Sequence, residues 1–288
     1  MSMHTWAPSG FFAPHPAPAL RVLSLGLGVQ STCMLEMAAD GFFGPMPDVA
    51  IFADTKAEPQ AVYDHLASLQ RRNSMPIPIR VISSGNLRQS VIVSRNTTGG
   101  RFASVPFFVR QENGTIGRGR RQCTKEFKLE PLWKEIRSIL GIQPGKRVPR
   151  GLIVETWIGI TTDEVVRASS SKHKWEHQRY PLIEAGMSRT DCIEELKRRQ
   201  FAVPMKSACT FCPFRHNSEW RRIKEQDPDT WNDAVQIDHA IRAGGRLRGI
   251  RGEQFVHRSC VPLDQADLLA PDPRQLVMGD ICGGACGT

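Results

Sequence analysis

The feature that most constrains this chain is an alternation of short apolar runs with helical stretches along its first half. "RVLSLGL" reads as a buried strand and "QSTCMLEMAADG" as a helix stopped by glycine. "PDVAIFADT" is a second strand, a helix is expected from about Glu58 to Arg72, "IPIRVIS" is a third strand and "LIVETWIGIT" a fourth. Between the third and fourth, "FASVPFFVRQENGTIG" predicts an irregular hairpin turning at Asn113-Gly114, and "TKEFKLEPLWKEIRSILG" a helix. Strands alternating with helices build a Rossmann-like parallel α/β sheet with right-handed crossovers, and its ligands bind outside the carboxyl ends of the strands. The expected organisation is a proline-rich tail or surface strap over residues 1–19, a nucleotide-binding α/β domain over 20–185, and a mainly helical, cysteine-containing region over 186–288.

At 288 residues and 40% hydrophobic content the chain can bury a full core. It shows no apolar run of about 18 residues and no basic-then-apolar opening, so a cytoplasmic location without membrane insertion is expected. The formal charge of +9 gathers in "GRGRRQCTKEFK", "KRRQ", "EWRRIK" and "RAGGRLRGIRG". Such patches suit a polyanion, and RNA, DNA, a nucleotide and a merely solvated face all look alike at this level. A homo-oligomer is compatible with this composition.

Eight cysteines in a cytoplasmic chain point to metal binding or catalysis rather than to disulfides. Cys33, Cys192 and Cys260 stand singly among apolar or helical residues and read as small buried hydrophobes. Cys209 and Cys212, in "SACTFCPF", have the spacing that turns two thiolates toward one metal or cluster edge. Cys123 lies among Arg120, Arg121 and Lys125, cations that favour a thiolate. Cys282 and Cys286 fall in "CGGACGT", which reads either as an arm that swings to a site or as a frayed end.

The turn "SLGLGVQS" carries Ser24, Gly26, Gly28, Gln30 and Ser31 between the first strand and the first helix. Glycines there allow backbone N–H groups to approach a phosphate, and the helix N-terminus adds favourable potential. It lacks the Gly-Lys-Ser/Thr ending of a Walker loop and the spacing of a dinucleotide fingerprint, and a tight turn with no ligand is the competing reading. In "ADTKAEP", Asp54, Thr55 and Glu58 put carboxylates and a hydroxyl at the end of the second strand, suited to ribose or magnesium; a helix cap by Asp54 or Thr55 is the alternative.

These stretches resemble the adenine-nucleotide α-hydrolase (PP-loop) superfamily, in particular its phosphoadenosine phosphosulfate reductase-like branch. The pyrophosphatase loop Ser-Gly-Gly-x-Asp-Ser corresponds to Gly26–Ser31, with Gln30 in place of aspartate, as suits the reductase branch. "ADTKAEP" resembles the segment where a strand meets the nucleotide, "CTKEFKLEPL" the cysteine–basic segment, "GITTDEVVRAS" the segment carrying Gly159, Glu164 and Arg167, and "SACTFCPF" the second cysteine pair. Four segments agree in order over about residues 20–215. The resemblance implies a HUP-type sheet that binds ATP or another adenine nucleotide with Mg2+, and a 4Fe–4S cluster on Cys123, Cys209 and Cys212. Thr124 stands where relatives have a second adjacent cysteine, so one iron is left open or Cys282 closes the cluster; structural zinc fits the same ligands.

Two chemistries follow from the resemblance. In the first, an acceptor, with nucleic acid as a candidate, is adenylated and then receives sulfur from a donor, with Lys125 and Lys128 neutralising phosphate charge. In the second, a sulfonucleotide is reduced by Cys286 or Cys282 with an external thiol. A zinc-stabilised nucleic-acid-binding module without catalysis is the third reading. "KHKWEHQRYP" is expected to form an exposed loop, so His173 and His177 are not taken as a metal pair, and Trp220 and Trp231 are read as packing residues.

Overall fold

The computed structural model describes residues 13–94, 105–243 and 252–271. Its centre is a five-stranded, all-parallel sheet of β1 (Leu20–Ser24), β2 (Val49–Ala53), β3 (Ile79–Ile82), β6 (Val154–Ile158) and β7 (Glu176–Arg179), in the order β3-β2-β1-β6-β7. The chain begins in the middle, runs out to β3, and returns on the other side of β1, where β6 pairs in register Ser24↔Ile158. The order reverses between β1 and β6, and a crevice forms at such a switch point.

Between these strands lie α1 (Val29–Ala39), α2 (Gln60–Gln70) and α3 (Leu87–Val93). α1 is buried over all but its last residue, so it carries no polar stripe; it packs against α6 (Arg189–Arg198), which shares its core through Cys192 and Leu196. On the opposite face, Leu132 and Ile136 of α4 (Glu130–Ile139) cover Val22, Ile51 and Val154. α4 is entered through a π-helical turn, Lys125–Leu129. The hairpin forms as β4 (Phe108–Arg110) and β5 (Ile116–Arg118), with Gly114 at φ 80°, and it pairs with β8 (Glu253–Phe255) in a separate antiparallel sheet. A second core joins Phe107, Phe127 and Phe211 to α7 (Asn217–Gln226) and α8 (Pro228–Ala243). Trp220 and Trp231 meet edge to face within it, 6.2 Å apart, as packing residues. Cys33, Cys192 and Cys260 are fully buried.

The segment expected as an exposed loop is instead β7, an edge strand, followed by the short α5 (Pro181–Glu184). Every polar side chain of "EHQR" finds a partner: Glu176 accepts from Thr156, His177 donates to the carbonyl of Ala13, Gln178 accepts from Tyr180 and Arg179 binds Glu184. Burial periodicity cannot see a strand satisfied in this way. The described part of the proline-rich opening lies as a strap: His15 donates its backbone N–H to Glu155 and Ala19 donates to Ile153. No helix among the described residues is long and apolar enough to cross a membrane.

Candidate functional site

The turn after β1 is knitted by one hydroxyl. Ser31 Oγ accepts from the Gly26 N–H at 3.2 Å and donates to the Gly28 carbonyl at 3.3 Å. Leu27, buried, holds φ 60°, a conformation costly for a branched side chain and one that persists only where the surroundings enforce it. Gly28 caps α1 in extended backbone, with no side-chain cap and no acidic residue in the first turn, which leaves the helix N-terminus suited to an anion. Gly159, just beyond β6, explains its residue type directly. A Cβ there would lie 3.1 Å from the backbone N and Cα of Ser31.

Gln30 is buried behind the turn, accepting from Arg189 at 3.0 Å and donating to Glu164 at 3.4 Å, while Glu164 accepts from Arg167 at 2.6 Å. The structure therefore joins Gln30, Glu164 and Arg167 into one network that braces the turn, together with Arg189, which the sequence patterns do not single out. Asp54 is also buried, but it accepts from the Lys56 backbone and from Tyr63, and neither it nor Thr55 caps α2, whose N-cap is Pro59. Burial, and then the Asp54 charge, raise the Tyr63 phenol above its ordinary pKa.

A cavity of about 490 Å³ opens at the carboxyl ends of β1, β2 and β6 and runs along the sheet beneath α4. Ser24 and Gly26 stand at its head with Arg121, Lys125 and Lys128; Trp133, His173 and Glu176 close its other end. Lys125 is largely exposed and pairs loosely with Glu130 at 3.7 Å. Lys128 reaches inward to Glu58 at 3.4 Å, and Glu58, fully buried, also accepts from Ser207. The wider π-helical turn that carries both lysines is a form found often at functional sites.

Cys123, Cys209 and Cys212 line a second, smaller cavity of about 40 Å³, and Thr55, Arg121, Thr124 and Lys128 are in its wall. Three of those four, Arg121, Thr124 and Lys128, face the larger cavity too. Cys212 donates its backbone N–H to the Cys209 carbonyl, the tight turn expected of the pair, and the Thr55 hydroxyl lies 3.6 Å from Cys209 Sγ. Burial foremost, and then the Glu58 charge, raise the Cys209 thiol, with Lys128 opposing. Among the described residues no group of three or more metal-ligating side chains already stands in metal-holding geometry. The donor set is nevertheless the one that thiophilic metals choose, and its three members face one space.

No protein-family model and no curated protein matches this chain. The residues themselves carry the reading. Of the expected site, Ser24, Gly26, Lys125 and Lys128 share the large cavity, Thr55 joins the three cysteines at the small one, and Gly28, Gln30, Ser31, Gly159, Glu164 and Arg167 build the turn behind. Cys282 and Cys286 lie outside the described residues, as does most of "RAGGRLRGIRG". His173 packs edge to face on Trp133 and stacks on Trp175, while His177 meets the carbonyl of Ala13. Sequence reasoning missed Arg121 as a shared wall, and Trp133, Thr156 and Glu176 as cavity residues; the helical spacing of Trp133 from Leu129 was the one available signal.

Proposed function

We propose that this chain is a PP-loop enzyme of adenine-nucleotide-dependent sulfur transfer. The observation that carries the reading is the shared wall: a cation-headed cavity at the sheet's switch point abuts a three-thiol cavity, with Arg121 and Lys128 between them. An acceptor oxygen attacks the α-phosphorus of ATP and pyrophosphate leaves; sulfur then attacks the adenylated carbon, the C–S bond forms, the C–O bond breaks and AMP departs. The turn at Gly26 and the N-terminus of α1 hold the departing pyrophosphate, and Lys125 and Lys128 offset charge on the phosphates. Because Gln30 is neutral and Asp54 is engaged elsewhere, Mg2+ arrives on the nucleotide rather than in a protein cage. The basic surface around Arg118 and Arg120, both exposed, suits a nucleic-acid acceptor.

Cys123, Cys209 and Cys212 would hold a 4Fe–4S cluster, which supplies an iron site able to carry the sulfur. Zinc is the second reading, favoured by the small volume between the thiols, which takes one ion without displacing its walls. A purified preparation assayed together for iron, zinc and labile sulfide separates the two, and Cys123→Ser and Cys209→Ser are each expected to lose most of the metal. Incubation with ATP, Mg2+, RNA and a sulfide donor is expected to yield AMP, pyrophosphate and thiolated RNA. Sulfite released from a sulfonucleotide without ATP, and abolished by Cys286→Ser, would instead establish a reductase. Zinc with neither activity would leave a nucleic-acid-binding module.

A further inference from the structure

Among the described residues Glu176 is the one carboxylate that lines the large cavity, and its surroundings are unusual. It is 7% exposed, forms no ion pair among the described residues, and is held by three neutral donors: Thr156 Oγ1 to Oε1 at 2.9 Å, and Ser171 Oγ and Trp133 Nε1 to Oε2 at 2.6 and 3.2 Å. Lys172, on the neighbouring loop, also lines the cavity but does not pair with it. A carboxylate carries about four lone-pair sites, so Oε2 is filled while Oε1 keeps one acceptor position. A buried anion without a cation is costly unless its remaining capacity is used. Beside it, Trp133 and His173 line the cavity as an aromatic corner, their rings packed edge to face.

The distance between the two ends is set by the sheet. Ile158 of β6 pairs with Ser24 at the head of the cavity, and Val154, four residues earlier on the same strand, pairs with Glu176 at the far end. At about 3.3 Å per residue this separates the backbone at Ser24 from the backbone at Glu176 by about 13 Å along the strands, and the Glu176 side chain reaches back toward the head as far as Thr156, a span in which a nucleoside can lie along the sheet with its phosphates toward the turn. The cavity is thus positive at one end, aromatic along its flank and a hydrogen-bond acceptor at the other.

We infer that Glu176 is a specificity-determining residue that accepts one N–H from the exocyclic amine of a 6-aminopurine, its acceptor oxygen fixed by Thr156. The inference rests on the nucleotide-binding reading of this cavity and adds to it the group that reads the base. Guanine fits less well, because its adjacent N1–H and N2–H require both carboxylate oxygens, and Oε2 is already saturated by Trp133 and Ser171.

The test compares binding of ATP with that of purine riboside 5′-triphosphate, which lacks only the amine, by calorimetry on the full chain. Wild-type protein is expected to prefer ATP by about tenfold or more, as suits a hydrogen bond to a buried charge. In Glu176→Gln, with folding checked by circular dichroism, the preference is expected to shrink to within about threefold while affinity for the purine analogue changes little. Equal binding of both triphosphates by the wild type overturns the inference whatever the variant does, and an undiminished preference in Glu176→Gln overturns it too. If neither triphosphate binds folded wild-type protein, the nucleotide reading fails and this inference falls with it.

Discussion

Two glycines near the turn after β1 look equivalent in sequence and are not equivalent in space. A Cβ on Gly159 would press on the Ser31 backbone at 3.1 Å, and backbone cannot swing aside as a long side chain can. A Cβ on Gly28 would meet only the Ser207 backbone nitrogen at 3.9 Å, an ordinary contact. Gly159→Ala is therefore expected to destabilise the fold by about 1–3 kcal/mol, the range for overpacking, read as a lowered denaturation midpoint. Gly28→Ala is expected to melt within about 0.5 kcal/mol of wild type while weakening ATP binding, because its methyl group would stand where the proposed function brings a phosphate. The reverse ranking of the two variants in stability would show that the turn is packed differently.

At the scale of elements, legibility followed hydrophobicity. β1, β2 and β6 announced themselves as apolar runs because both of their faces are covered, whereas β7 escaped because an edge strand can be built from polar residues when each has its own partner. β8 was invisible for a related reason, since its pairing with β4 joins residues far apart in sequence. The segment from β8 to residue 271 is pinned by His257. Asn217 uses its amide N–H groups on the carbonyls of Asp267 and Ala270, so its Oδ1 accepts from His257 Nε2, which leaves Nδ1 bare to accept from the hydroxyl and backbone N–H of Ser259. Only the neutral ring can do this. Burial, and then the neighbouring Arg258 charge, push the His257 pKa down to about 4. A pKa lower in the folded state than in the unfolded chain means that the unfolded chain binds the extra proton first as pH falls. This contribution is whole above about pH 6.5, declines between there and about pH 4, and amounts to about 3 kcal/mol. Urea denaturation of wild type and His257→Gln across that window is expected to show the steeper loss on acidification in the wild type only.

At the scale of the whole molecule, the sequence placed the three cysteines in order but could not say that they meet, because Cys123 reaches the pair only through the packing of the π-helical turn against the second core. Nor could it show that one lysine faces both cavities. That arrangement couples them. Three thiols that give up three protons to one divalent ion change the charge of their site by −1, beside the cavity proposed to take a triphosphate. Lys128, anchored by Glu58 and set in the common wall, would screen one from the other. Zinc loading is expected to weaken ATP binding by a few fold in the wild type, and ATP to weaken zinc binding by the same factor, since linkage is reciprocal. In Lys128→Gln the penalty is expected to grow to about tenfold or more, measured by calorimetry of ATP into zinc-loaded and zinc-free protein with melting curves as the control for Glu58. A penalty that stays unchanged when the lysine is removed would show that its charge does not lie between the two sites, and that nucleotide and thiols are screened by Arg121 instead.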